Sequence, residues 1–258
     1  MPRVKSTLKI LHLDIETAPT NCYTWSLFPN RINIGDIVEP GYTLCWAAMW
    51  EGERNVQFSS IYRDGEEQMV SKVHALLEEA DAVVHYYGTN FDIPTLNREF
   101  IKLGLEPPSH YYQIDLIKVV RKQFKFASNK LDFVCQQLGL GAKTHHKGME
   151  LWHKCMDRNP RAWKTMERYN KQDVKLLHRL YHKLLPWIHI HPNVGLYRDD
   201  PTRPTCSTCG STNVVAKGTQ FNARAASYKR WKCNSCGTPL RSRNKLNKNN
   251  ENVLVRTP

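Results

Sequence analysis

Two hydrophobic periods alternate along the chain, and each predicts a different element. LKILHLDIE (8–16), YTLCWAAMW (42–50), NVQFSSIY (55–62) and DAVVHYYG (81–88) are short apolar or alternating runs of strand length, and the turn EGER joins the second to the third. EEQMVSKVHALLEEA (66–80) has helical spacing, with Met69, Val73, Leu76 and Leu77 on one face. NFDIPTLNREFIKLG (90–104) reads as a helix with Pro94 in its first turn and Gly104 near its end. YYQIDLIKVVRKQF (111–124), KLDFVCQQLGL (130–140) and a long stretch from about Asn159 to Leu185 read as helices too, the last stopped by Pro186. KTHHKGME (143–150) reads as a loop with His145 and His146 solvated.

The order of three strands, a helix, a strand and then mostly helices predicts an α/β fold, a mixed sheet flanked by helices. HIHPNVGLYRDDPTRP (189–204) has three prolines and no period, so it reads as a linker. The expected organisation is a main domain over 1–188, the linker 189–204, a small domain over 205–240 and a basic, flexible tail over 241–258.

Composition narrows the class. With 258 residues and 41% hydrophobic content the chain can build a core. No apolar run approaches the roughly 20 residues of a membrane span. The start, MPRVKSTLKILHLDIET, lacks the apolar stretch of a secretory signal, so the expected location is cytoplasmic. The formal charge is +13 and uneven: residues 187–258 hold 12 Lys and Arg against 3 Asp and Glu. That asymmetry points to a polyanionic partner rather than a membrane. Cys22, Cys45, Cys135 and Cys155 are scattered and expected to be small core residues. Cys206, Cys209, Cys233 and Cys236 form two C-x₂-C pairs, a metal-ligand spacing.

The candidate chemistry of the main domain lies in carboxylates. Asp14 and Glu16 alternate on the first strand, so they share a sheet face about 6.6 Å apart along the chain. Two acids placed together at the end of a core strand repel unless a cation lies between them, although a strand running into solvent could also carry them. Asp92 opens a helix after a strand and the turn YYGTN, a position the helix dipole also favours. Tyr169 and Asp173, in RYNKQDVKLL, are four apart and share a helix face with a leucine stripe below.

In this order, LDIET (13–17), YGTNFDIP (87–94) and YNKQD (169–173) resemble the three motifs of the DEDD (DnaQ-like) 3′→5′ exonuclease superfamily, which has a ribonuclease-H-like fold. The resemblance covers about residues 8–186, including KLDFVCQQLGL, which is similar to the helix before the third motif in polymerase-type proofreading domains. The other subclass of that superfamily places His five residues before the last Asp. Here Arg168 stands there, so the chain resembles the tyrosine subclass. The second motif departs from the family, with Tyr87 beside Gly88 where Asn is common.

The resemblance implies that Asp14, Glu16, Asp92 and Asp173 hold two Mg²⁺ or Mn²⁺ ions, about 3.5–4 Å apart, for phosphodiester hydrolysis. It implies that Tyr169 orients the attacking water and that Thr17 touches the terminal nucleotide. Phe91 could stack on a base, though a Phe that opens a helix commonly joins the core. Asp115 resembles a family-typical Asp, but its place reads as a helix start rather than a ligand.

CSTC (206–209) and CNSC (233–236), each followed by Gly, resemble the knuckles of zinc ribbons in nucleic-acid-processing proteins. That implies one structural Zn²⁺ on four thiolates. Between them, NVVAKG and SYKRWKC read as strands. Lys217, Arg224, Lys229, Arg230 and Lys232 lie among Phe221, Tyr228 and Trp231, a mixture suited to phosphate contact with base stacking.

The expected activity is therefore a 3′→5′ exonuclease acting on nucleic acid, with DNA favoured and RNA possible. A polymerase or other replication protein is a possible partner. The build resembles phage-encoded nucleases, which would place it in a host cytoplasm. Two alternatives stand: a catalytically silent nucleic-acid-binding adaptor, and a polymerase-associated proofreading subunit.

Overall fold

The computed structural model describes residues 8–29, 31–144, 148–197, 202–223 and 226–246. His145, His146, Arg224 and most of the 241–258 tail lie outside the described residues. Two compact units emerge, Lys9–Tyr181 and the chain from His182 onward.

In the first unit the elements are β1 (Ile10–Thr17), β2 (Asn21–Cys22), β3 (Ile37–Glu39), β4 (Thr43–Trp50), β5 (Gln57–Ser60), α1 (Glu66–Glu79), β6 (Ala82–His85), α2 (Asp92–Lys102), β7 (Tyr112–Asp115), α3 (Leu116–Gln123), α4 (Leu131–Gln137), α5 (Met149–Met156) and α6 (Pro160–Leu184), the last running past the unit boundary. A five-stranded sheet has the order β5-β4-β1-β6-β7, with β4 antiparallel to β1 and β5, and β6 parallel to β1 and β7. β2 and β3 form a separate small pair. The fold is thus the expected α/β mixed sheet flanked by helices.

β1 is central, and its alternation sorts the molecule into layers. Leu11, Leu13 and Ile15 point to one side, packing with Met69, Val73 and Leu77 of α1 and Ile93, Leu96 and Phe100 of α2. On the other side Cys45, Ala47 and Met49 of β4 meet Leu151 and Cys155 of α5 and Trp163, Met166, Tyr169 and Val174 of α6. By alternation His12, Asp14 and Glu16 face that second layer. Burying a Leu or Ile side chain stabilises by roughly 1.5–3 kcal/mol, so a one-residue slip of β1 would forfeit three such contacts and bring the acids into the opposite core. Trp46 adds a directed link, its Nε1 donating to Met69 O at 2.8 Å.

Two expectations need correction. Residues 111–124 do not form one helix: Tyr112–Asp115 is the fifth strand and the helix starts at Leu116. Parallel pairing of Ile114 with Val84 and Asp115 with His85 outweighs local helical spacing. Asp115 is the N-cap, its side chain accepting from Ile117 N, which agrees with its reading as a helix start. The stretch read as a loop through Glu150 contains the start of α5, an eight-residue helix whose Leu151 and Cys155 lie one turn apart in the core. The scattered cysteines are placed as small packing residues, with Cys45, Cys135 and Cys155 buried and Cys22 half-buried.

In the second unit β8 (Val214–Ala223), β9 (Ala226–Cys233) and β10 (Pro239–Arg241) form an antiparallel sheet in the order β10-β9-β8.

Asp115 generates a pH prediction. Although burial opposes its charge, His85, the Tyr87 N–H and Thr89 hold its carboxyl at about 2, below the ordinary 3.8. A depressed carboxylate stabilises the fold above its unfolded pKa, and that contribution is lost as pH falls from about 4 toward 2. The shift corresponds to on the order of 2 kcal/mol. Urea unfolding at pH 6 and pH 3 is expected to show Asp115→Ala destabilised by about 1–3 kcal/mol at pH 6 and by roughly half as much at pH 3, which lies between the two pKa values.

Candidate active site

Three carboxylates from two elements converge on the α6 side of the sheet. Asp14, Glu16 and Asp173 each offer an oxygen within 4.8 Å of the others. The pleat of β1 presents the first two and the inward face of α6 presents the third. Asp92 stands beside this group at the start of α2, where Ile15 N donates to its Oδ1 at 3.2 Å, so the backbone of β1 holds the fourth acid against the first two.

The electrostatics of the cluster are unfavourable by themselves. Burial, then the charges of Asp173, Glu16 and Asp92, push the Asp14 carboxyl well above the usual carboxylate range. Burial raises Glu16 to about 8, with Asp173 and Asp92 adding to the shift although Lys143 opposes it. Burial likewise raises Asp92 to about 6, against the lowering effect of His85 and its backbone hydrogen bonds. Burial raises Asp173 despite the neighbouring Lys143. The Tyr169 phenol is raised by burial and by the Asp173 and Glu16 charges, so it stays protonated near neutrality.

Two residues at this site carried no flag in the sequence. Lys143, from the loop before α5, donates its Nζ to Asp173 Oδ2 and, at 3.2 Å, to the Tyr169 hydroxyl. Burial disfavours the ammonium, but Asp173 and Asp14 more than compensate and raise its pKa. Asn170, fully buried, donates its Nδ2 to Asp14 Oδ2 at 2.7 Å and to Asp14 O at 3.3 Å. The available signal for Asn170 was an amide beside Tyr169, one step round the helix from the inward face. A lone Lys in a charged loop offers no comparable signal.

The residue set fits divalent ions. One ammonium against four carboxylates leaves a deficit of positive charge. Asp173 Oδ1 is buried without a hydrogen-bond partner. An all-oxygen donor set suits hard ions such as Mg²⁺ or Mn²⁺.

Beside the carboxylates lies an open cleft of about 650 Å³, lined by Asp14, Tyr86, Tyr87, Arg121, Lys130 and Lys143 among others. Tyr87, the departure from the second motif, adopts φ +73°, a left-handed conformation that Asn tolerates better than Tyr. Its N–H donates to Asp115 Oδ1 at 2.8 Å, which pins the turn. Phe91 is 43% exposed rather than core, so its ring is accessible. Thr17 is half-buried at the end of β1, where the register with β4 shifts after Glu16. The connection that follows carries Tyr23, Trp25, Leu27 and Phe28, all strongly exposed, an apolar display the sequence reading did not single out.

In the second unit the four cysteines come together. Their sulfurs lie within 4.8 Å of one another, with Cys206–Cys236 at 3.7 Å and Cys209–Cys233 at 3.6 Å. These separations exceed a disulfide's ~2.05 Å and match the edge of about 3.8 Å of a tetrahedron with 2.3 Å metal–sulfur bonds. Gly210 and Gly237 take φ +70° and +82°, and their N–H groups donate to Cys206 O and Cys233 O, closing each knuckle. Lys217, Lys229, Arg230 and Lys232 are exposed, and Trp231 is half-buried beneath the Lys229 ammonium, 4.9 Å from its ring centre. Lys217 and Arg230 are register partners across β8 and β9, so two cations face each other. The side chain of Phe221, like Arg224, is outside what is described.

A mixed five-stranded sheet of this order with clustered acids on its central strand defines a ribonuclease-H-like protein. A family model described as the RNase H superfamily matches residues 40–185, more than half of the chain, and the chain belongs to that superfamily. The matched span contains Asp92, Tyr169 and Asp173 and begins after β1. Among solved structures, the family B DNA polymerase from the hyperthermophilic archaeon Pyrobaculum calidifontis is similar, with a TM-score of 0.54 and 20% sequence identity. That similarity covers 69% of this chain and 25% of the polymerase, so it extends over about a quarter of that protein's length, and the likeness is one of fold. No curated protein matches the chain in sequence.

Gly88 offers a test of how the turn before Asp92 is held. A Cβ there would lie 2.4 Å from His85 Cγ and 2.7 Å from Nδ1, on a buried ring rather than a flexible chain end. Gly88→Ala is expected to lower stability by about 1–3 kcal/mol, read as a reduced denaturation midpoint with an unchanged m-value.

Proposed function

We propose that the chain is a metal-dependent 3′→5′ exonuclease of the DEDD type, tyrosine subclass, with a zinc ribbon that grips nucleic acid. The observation that carries this reading is the convergence of Asp14, Glu16 and Asp173 oxygens within 4.8 Å, with Tyr169 one helical turn from Asp173 and Asp92 alongside. In this reading residues 1–188 are the nuclease, 189–204 the linker, 205–240 the ribbon and 241–258 a basic tail.

Asp14, Glu16, Asp92 and Asp173 would hold two Mg²⁺ or Mn²⁺ ions. Bound there, such ions lower the pKa of an attacking water and offset charge on the leaving 3′-oxygen. Asn170 fixes the Asp14 carboxylate through its 2.7 Å hydrogen bond, so this acid is oriented before any ligand arrives. Tyr169, kept as a phenol, orients a water through its hydroxyl rather than taking its proton. Lys143 reaches the same point from the loop before α5 and supplies positive charge against a phosphate.

Binding is supported by two basic surfaces, one in each unit. On α6, Arg161, Lys164, Arg168, Lys171 and Lys175 recur at intervals of three and four residues and line a shared groove. In the ribbon, the exposed Lys217 and Arg230 are register partners across β8 and β9 and place two cations side by side. Phosphates of a nucleic acid strand satisfy both. Phe91 and Thr17, close in sequence to the acids, would contact the terminal nucleotide. Among the described residues no helix is long and apolar enough to cross a membrane.

With 5′-labelled single-stranded DNA, duplex DNA and RNA, Mg²⁺ or Mn²⁺ is expected to give a ladder that shortens from the 3′ end, and EDTA to abolish it. Asp14→Ala should stay folded, since it removes one of several mutually repelling acids, and should lose more than about a hundredfold of the rate. Near-normal cleavage by that variant, or internal cuts by the wild type, would overturn the reading. Tyr169→Phe is expected to slow turnover without weakening divalent-ion binding.

A second experiment concerns the ribbon. Removing zinc with a chelator, or substituting Cys209→Ser, is expected to unfold the second unit, because metal binding contributes about 10–16 kcal/mol to small domains of this kind. Circular dichroism and protease resistance report that loss. The double variant Lys217→Glu/Arg230→Glu should retain zinc but bind DNA more weakly, with a shallower dependence of log affinity on log salt. An unchanged salt slope would assign the ribbon to another partner.

A further inference from the structure

A second cluster of metal-ligating side chains lies on the same sheet face, away from the four acids. His12 is on β1 two residues before Asp14 and is completely buried. Glu51 follows β4, where its N–H donates to Ile10 O at 2.8 Å. His178 is on α6, five residues after Asp173. His12 Nε2 lies 2.9 Å from Glu51 Oε2, and His178 Nε2 lies 3.4 Å from the same oxygen. The two imidazoles meet edge to face, with ring centres 4.9 Å apart. One donor atom from each of the three residues lies within 4.8 Å of the other two.

We infer that His12, Glu51 and His178 form a binding site for a divalent transition ion of the zinc type, separate from both the carboxylate cluster and the cysteines. Bonds of about 2.0–2.1 Å in a tetrahedron set donor–donor edges near 3.4 Å, and the two edges that meet at Glu51 Oε2 are 2.9 and 3.4 Å. Two imidazole nitrogens and one carboxylate are a borderline donor set, which selects Zn²⁺, Co²⁺ or Ni²⁺ over Mg²⁺. Three protein donors leave one position for water. The ligands come from β1, the end of β4 and α6, three pieces of chain brought together by the sheet and its covering helix. A bound ion ties the strand that carries Asp14 and Glu16 to the helix that carries Tyr169 and Asp173. The pair of distances to one Glu51 oxygen also describes two imidazole N–H groups donating to a carboxylate, and metal content separates the two cases.

The test uses the full chain, purified with Zn²⁺, dialysed against metal-free buffer with excess Mg²⁺, and compared with His178→Gln and Glu51→Gln. Both substituted positions are only partly buried, and circular dichroism checks their folding. Mass spectrometry for zinc is expected to show one equivalent fewer in each variant than in the wild type, a difference that does not depend on how fully the cysteines are loaded. Zinc-edge X-ray absorption of the wild type should show nitrogen or oxygen neighbours at about 2.0–2.1 Å with the outer-shell pattern of imidazole. That pattern should be absent from the variants. Equal zinc in all three proteins overturns the inference, as does a wild-type spectrum without imidazole scattering, which decides the matter even if a variant fails to fold.

Discussion

Like charges placed together inside a protein are unstable unless something holds them, and the first unit is arranged around that constraint. Asp14 and Glu16 occupy the central strand, Asp173 descends on them from α6, and Asp92 is drawn in by the Ile15 N–H. Burial and mutual repulsion raise their pKa values, most explicitly for Glu16 at about 8. Apolar side chains of similar volume would carry none of this repulsion. The hydrophobic layers on both sides of the sheet, one against α1 and α2 and the other against α5 and α6, supply the stability that allows the acids to stay where they are.

The devices that hold the acids are polar and local. Asn170 satisfies Asp14, Lys143 bridges Asp173 to Tyr169, and Trp152 of α5 packs its ring edge-on to Tyr169 with centres 6.0 Å apart. Asp115 uses its carboxylate differently, as a brace of backbone N–H groups that fixes the turn carrying Tyr87 and Gly88. Two aspartates on neighbouring elements thus have opposite electrostatic characters. One is pushed up by burial among acids, the other pulled down by donors. That contrast is what separates a candidate ligand from a cap.

The second unit depends on a different economy. Among its described residues few apolar side chains of the three-stranded sheet are buried, and four cysteine sulfurs lie within 4.8 Å of one another. The positive φ of Gly210 and Gly237 allows each knuckle to turn back on its own carbonyl. The cations on β8 and β9 then face outward on a sheet whose geometry does not depend on them.

Much of the fold was legible in the chain itself. Strong periods located β1, β4, β5, β6, α1, α2 and α6, because an amphipathic or fully apolar run carries its own burial instruction. The acids, the tyrosine and the cysteine pairs were legible because their spacing on a strand, a helix or a knuckle already implies a shared face. β7 and α5 were not, since Tyr112–Asp115 becomes a strand only when β6 offers its edge, and Met149–Met156 becomes a helix only when Leu151 and Cys155 find the α6 layer. The tertiary structure alone decided that Phe91 is exposed, that Lys143 and Asn170 reach the acids, and that His12, Glu51 and His178 meet. Those relations join residues as far apart as His12 and His178, 166 positions along the chain. No local period encodes such a distance, because it is set by how the sheet and α6 stack rather than by the chemistry of either segment.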